Sequence, residues 1–108
     1  MLIEWIERLK KKYISTVIYG EILQGVRDKK ELKQAKEFLS QFDMLWLDQE
    51  ISRLTLELLE NYHLRYGLLL VDSLIAATAI INDLILVTDN VRHFEFINGL
   101  RVLRPEDV

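Results

Sequence analysis

Two hydrophobic periods alternate along this chain, and the switches between them outline its elements. Leu2, Trp5, Ile6 and Leu9 share one stripe with Glu4, Glu7, Arg8 and Lys10 opposite, a spacing that predicts an amphipathic helix over residues 2–12. Lysines close it, as suits the negative end of a helix dipole. Tyr13 to Val17 reads as a short strand, and Ser15 or Thr16 is a candidate N-cap for a helix running through Ile18, Ile22 and Val26. Gly20 and Gly25 each disfavour that helix by up to about 1 kcal/mol relative to Ala, which points to close packing or a helix end. After a break at Asp28-Lys29-Lys30, Leu32, Ala35, Leu39 and Phe42 recur at helical spacing. Met44 to Leu47 is a short apolar strand, and Asp48 turns the chain into a long helix over residues 49–66. Its buried stripe is Ile51, Leu54, Leu58 and Tyr62, and Gly67 is placed to stop it.

Residues 68–90 then organise the rest. They place Asp72 inside an otherwise apolar run, and a bare buried carboxylate either costs several kcal/mol or takes up a proton. A helix N-terminus relieves that cost, so Asp72 is expected to open a helix from Ser73 to about Asn82. That helix is apolar or small around most of its circumference, with Ala76 and Ala79 on the side of Asp72, as an inner helix requires. Leu84 to Thr88 follows as a buried strand, with Thr88, Asp89 and Asn90 at its carboxyl end. Ligands bind at that end of open α/β sheets. Residues 91–99 read as loop and residues 101–103 as a last strand.

The alternation of helices and strands predicts an α/β fold with a parallel sheet. With 108 residues, half of them apolar, the chain is expected to form a single domain with a real core. It has no cysteine, which excludes zinc fingers and thiol catalysis, and no apolar run of membrane-spanning length. A cytoplasmic protein with no membrane association is the expectation. The net charge of −3 offers no general nucleic-acid footprint, although Lys10 to Lys12 and Lys29, Lys30, Lys33 and Lys36 form two local basic groups.

For chemistry, Glu21 and Asp72 are expected near the amino ends of helices, and Asp89-Asn90 directly follows a strand. Three acidic or amide positions can thus converge on one sheet edge. Such all-oxygen clusters favour Mg²⁺ or Mn²⁺ over Zn²⁺, and the ion can activate water and stabilise phosphoryl charge. Each residue also has a plainer reading: Asp72 as a cap, Glu21 as a surface or ion-pairing side chain, Asp89-Asn90 as a turn. His63 and His93 share no metal-ligand spacing, and no phosphate-cradling glycine motif is present.

The segments ISTVIYGEILQG, VDSLIAATAI and LILVTDNVRHF, in this order, resemble the PIN-domain ribonucleases, specifically the VapC toxins of bacterial and archaeal toxin–antitoxin pairs. The resemblance implies a PIN-like three-layer α/β/α sandwich with a parallel sheet and Mg²⁺- or Mn²⁺-dependent endonucleolytic cleavage of RNA. It assigns metal binding to Glu21, Asp72 and Asn90, with Asp89 a neighbouring alternative and Thr88 in a supporting role. It also implies a small VapB-like antitoxin as partner, and a homodimer in which elements can be exchanged.

These proteins normally begin with a hydrophobic strand ending in Asp-Thr-Asn or a close variant, whose Asp is a principal metal ligand. This sequence shows no such segment, so the central strand and its Asp are expected to be missing, leaving neighbouring strand edges unpaired. Weak metal binding and poor cleavage follow as expectations. The alternative function is a non-catalytic PIN-like module that binds an antitoxin or itself.

Overall fold

In the computed structural model, which describes residues 5–8 and 11–108, five strands form one sheet: β1 (Trp5–Arg8), β2 (Lys11–Ser15), β3 (Asp43–Leu45), β4 (Ile85–Val87) and β5 (Val102–Leu103). Their spatial order is β3-β2-β1-β4-β5. β2 pairs with β3 and β4 with β5 in parallel, whereas β1 lies antiparallel between β2 and β4.

This corrects the expected helix over residues 2–12 wherever the structure describes it; Leu2, Glu4, Leu9 and Lys10 lie outside the described residues. The expected gap at the centre of the sheet is filled by β1, whose Ile6 is only 1% exposed. Two unpaired edges are a strong template for a third strand. Only two residues separate β1 from β2, a connection too short for the crossover that a parallel pair needs. The sheet is therefore mixed, with four co-directional strands around one reversed strand.

Four helices flank the sheet: α1 (Thr16–Gln24), α2 (Lys29–Leu39), α3 (Gln49–Tyr66) and α4 (Leu70–Ile81). Their starts are set by side chains that accept orphan N–H groups. Ser15 Oγ accepts from Ile18 N–H at 3.2 Å, Asp28 Oδ1 from Glu31 N–H at 2.8 Å, and Asp48 Oδ1 from Ile51 N–H at 2.8 Å. α1 ends earlier than expected, at a cap on Gly25, and Gly67 closes α3 in the left-handed conformation (φ 75°).

The core gathers on α4. Ile75, Ala76, Ala77 and Ala79 are buried with Ile51 and Leu58 of α3, Leu86 of β4, and Phe94 and Ile97 beyond it. Full burial of a side chain such as Phe94 contributes about 1.5–3 kcal/mol. The alanines allow α3 and α4 to approach closely enough for Ser73 Oγ to donate to the Thr55 carbonyl at 2.7 Å. This contact fixes the first turn of α4, and with it Asp72.

Candidate active site

Asp72 does not open α4. The helix begins at Leu70 with Leu69 as its N-cap residue, and Ser73 N–H already donates to the Leu69 carbonyl at 2.9 Å. Asp72 is thus the third helical residue, still within the turn where the helix dipole favours a negative charge. Its side chain is 28% exposed. Burial pushes the carboxyl pKa up, and the nearby His93 ring pulls it part of the way back.

His93 reaches Asp72 through a short 3-10 turn, residues Val91–His93, that follows β4. The turn starts at Asn90, whose carbonyl accepts from His93 N–H at 3.0 Å. Thr88 is fully buried, and its Oγ1 accepts from Asn90 N–H at 3.0 Å, so it shapes the backbone at the end of β4. The chain then folds back until His93 Nδ1 stands 3.6 Å from Asp72 Oδ2. Sequence spacing gave no hint of this pair, because a ring in a loop has no periodicity to betray its direction.

Asp72, Arg92 and His93 line a cavity of about 180 Å³ together with Tyr66 and Phe96. Asp89 is exposed and Asn90 half-buried beside it in the chain, at the carboxyl end of β4. Glu21 lies elsewhere: it is exposed in the second half of α1 and borders a groove with Gly25 and Phe38, not the Asp72 cavity. The expectation that Glu21 sits near the amino end of its helix is therefore not met.

β1 also differs from what a metal-binding central strand would supply. Its reversed direction pairs Trp5 with Val87, next to Thr88, and places Glu7 opposite Ile85, away from that edge. Among the described residues, no three of His, Cys, Asp and Glu come together as a metal cage. The oxygen donors suit a hard cation by type, and Mg²⁺ commonly makes do with one or two carboxylates plus waters and a substrate phosphate. Asp72 fits the role of a single fixed carboxylate; a closed protein site is not formed.

Sequence comparison matches the PIN domain over residues 2–98. Ribonuclease VapC19 from Mycobacterium tuberculosis is 35% identical over 102 residues, covering 94% of this chain and 81% of that protein. Among solved structures, DNA-bound VapBC from Salmonella typhimurium is similar with a TM-score of 0.76 and 25% identity, over 84% of this chain and 73% of its own. VapBC2 from Rickettsia felis, bound to a DNA fragment from their promoter, gives 0.72 and 30% over 85% and 73%. A toxin–antitoxin complex from Klebsiella pneumoniae gives 0.70 and 28% over 84% and 71%.

Proposed function

The chain belongs to the PIN-domain family, and from that premise we propose that it is a VapC-type endoribonuclease, the toxin of a type II toxin–antitoxin pair. The observation that carries this reading is the 35% identity to a VapC ribonuclease across nearly the whole chain. The half-buried carboxylate at the first turn of α4 supports it chemically.

In this reading Asp72 would hold a Mg²⁺ or Mn²⁺ ion together with Asn90 or Asp89, and Glu21, which borders a separate groove, is assigned to the ion by the family resemblance alone. Such an ion supplies Lewis-acid polarisation of a phosphoryl oxygen and lowers the pKa of an attacking water. Thr88 keeps the turn at Asn90 in shape through its 3.0 Å bond. Arg92 favours an RNA phosphate near Asp72 by charge, and the exposed His93 ring offers it a hydrogen-bond donor. With no acid brought to this edge by the described residues of β1, the chain is expected to bind metal weakly and cleave poorly.

The partner in this reading is a VapB-like antitoxin, as the solved VapBC relatives suggest for a chain of this fold. A groove of about 670 Å³ lined by Tyr19, Leu23, Phe42, Met44 and Trp46 suits an amphipathic helix or tail from it. A homodimer, with or without exchanged elements, is supported by the exposed apolar residues Leu64, Leu69, Leu70 and Val71 where α3 meets α4. We place its action in the cytoplasm, consistent with the absence, among the described residues, of any helix long and apolar enough to cross a membrane.

The lack of a three-acid cluster among the described residues favours a second reading, a non-catalytic PIN-like module that binds an antitoxin or a second copy. Cleavage of a single-stranded RNA in Mn²⁺ separates the two. The ribonuclease reading expects metal-dependent cleavage that falls by about two orders of magnitude in Asp72→Asn and Glu21→Gln, the scale of losing one transition-state charge stabiliser. Cleavage unaffected by chelator and by both substitutions overturns it.

A further inference from the structure

Asp72 and His93 line one cavity and are held there by separate anchors. The Ser73 hydroxyl ties the first turn of α4 to α3, and so fixes where Asp72 stands. His93 is fixed through the residues that follow it. Phe94 is fully buried, and Phe96 lies flat against Tyr66, with centroids 4.4 Å apart and planes 8° from parallel. Tyr62 tilts against both rings, at 5.6 Å from Phe96 and 6.1 Å from Tyr66, and its hydroxyl accepts from Asn98 N–H at 3.1 Å. The segment after β4 is thus bound to α3 on both sides of Phe96.

The two side chains meet without a hydrogen bond. His93 Nδ1 stands 3.6 Å from Asp72 Oδ2, well beyond the roughly 2.7–2.9 Å of a charge-assisted bond. Among the described residues, neither the Asp72 carboxylate nor the His93 ring has a hydrogen bond to any other group. A carboxylate oxygen and an imidazole nitrogen therefore face each other, both uncommitted, where their side chains line a cavity of about 180 Å³.

Their separation fits two ligands on one ion. Donors at zinc-like bond lengths around a tetrahedral ion stand about 3.4 Å apart, against about 3.0 Å for neighbouring ligands on an octahedral Mg²⁺. The observed 3.6 Å is nearer the first. Donor type points the same way. Imidazole nitrogen suits first-row transition dications, whose affinities rise from Mn²⁺ toward the end of the series, whereas Mg²⁺ takes oxygen. The chain has two histidines, and the other, His63, already donates through Nδ1 to the Leu68 carbonyl at 2.7 Å.

We propose that Asp72 and His93 are paired ligands of a single transition-metal dication, so that the site takes Zn²⁺ or Mn²⁺ in preference to Mg²⁺. His93 supplies its donor from the turn after β4, at a sheet edge to which the described residues of β1 bring no acid. Coordination through Nδ1 leaves the Nε2 hydrogen free to donate to a phosphate. Two protein ligands also leave positions on the ion for water and a substrate oxygen. This inference deepens the ribonuclease reading by naming the ion, and rests on it for what the ion does but not for its binding.

The test is calorimetric titration of the chain with Zn²⁺ and, separately, Mg²⁺, with the rings of His63 and His93 followed by NMR. Zn²⁺ is expected to bind about a hundred-fold more tightly, and to shift the His93 ring rather than that of His63. His93→Ala is expected to lower Zn²⁺ affinity about ten-fold or more with Mg²⁺ affinity little changed. His93→Asp is expected to narrow the preference, because it offers Mg²⁺ a second carboxylate. A thermal melt checks that both variants fold. Equal affinities for the two ions, a Zn²⁺ preference that survives in His93→Ala, or a shift confined to His63 overturns the paired site. Zn²⁺ binding through His93 without RNA cleavage in either Zn²⁺ or Mn²⁺ leaves the pair standing and removes the ribonuclease reading. Cleavage that Mg²⁺ supports as well as Mn²⁺, and that His93→Ala leaves unchanged, does the reverse.

Discussion

Ser73 Oγ donates to the Thr55 carbonyl across 2.7 Å, joining the first turn of α4 to the middle of α3. Both residues are buried, and Ser73 follows directly on Asp72. Removing the hydroxyl leaves Thr55 its helical acceptor role, so Ser73→Ala is expected to cost about 0.5–1.5 kcal/mol rather than the full cost of an orphaned group. A urea unfolding midpoint measures it. An unchanged midpoint means that the bond contributes nothing to the docking of α4.

Gly67 ends α3 at φ 75°, a conformation that costs an L-residue about 1–2 kcal/mol. A Cβ there would meet nothing within 4 Å, so the cost is one of backbone conformation alone. Gly67→Ala is expected to lower the melting temperature, and Gly67→Asn to lower it less, since Asn tolerates this region better. Equal effects of the two substitutions would point to crowding instead.

Asp72 titrates in a direction that opposes stability at neutral pH. Its pKa is raised by burial, with His93 opposing, so the folded chain holds the proton more tightly than the unfolded chain does. The stabilisation from that proton is fully present below the unfolded carboxyl pKa and lost as pH rises through the folded one. Asp72→Asn imitates the protonated state. It is expected to raise the denaturation midpoint at pH 7, with the gain shrinking toward zero as pH falls below the carboxylate range. A lower midpoint at pH 7 contradicts this and makes the charge, held by His93 and the helix dipole, a net stabiliser.

Legibility in the sequence tracked how local each determinant is. Caps at Ser15, Asp28 and Asp48 and the stop at Gly67 depend on neighbours within four residues, and the corresponding helix boundaries were readable to within a few residues. Asp72 is the residue whose type suggests a helix start, but Leu69 caps α4 without a side-chain bond and so leaves no mark in the sequence. The pairing of His93 with Asp72 and the stack of Tyr66 on Phe96 join residues 21 and 30 positions apart, through a turn whose path no periodicity encodes. For the candidate site, residue types and motif order pointed to oxygen-donor chemistry at a strand end. Which donors meet depended on the sheet.

The largest departure, a strand where a helix was expected, also gives the sharpest test. Trp5 and Ile6 fit a helical stripe, yet both are strong strand formers, and tertiary pairing outweighs weak local preference. In the structure Ile6 pairs with Tyr13 on one side and Leu86 on the other, and is 1% exposed. Replacing it with Ala should leave a cavity at the centre of the sheet and cost about 2–5 kcal/mol. On an amphipathic helix at the chain's edge the same change would cost far less. Amide hydrogen exchange supplies the second readout: residues 6 and 86 should be protected to a similar degree and lose protection together in Ile6→Ala. Fast exchange at Ile6 beside slow exchange at Leu86 would mean that β1 does not occupy the slot between β2 and β4, and that those two strands find another partner.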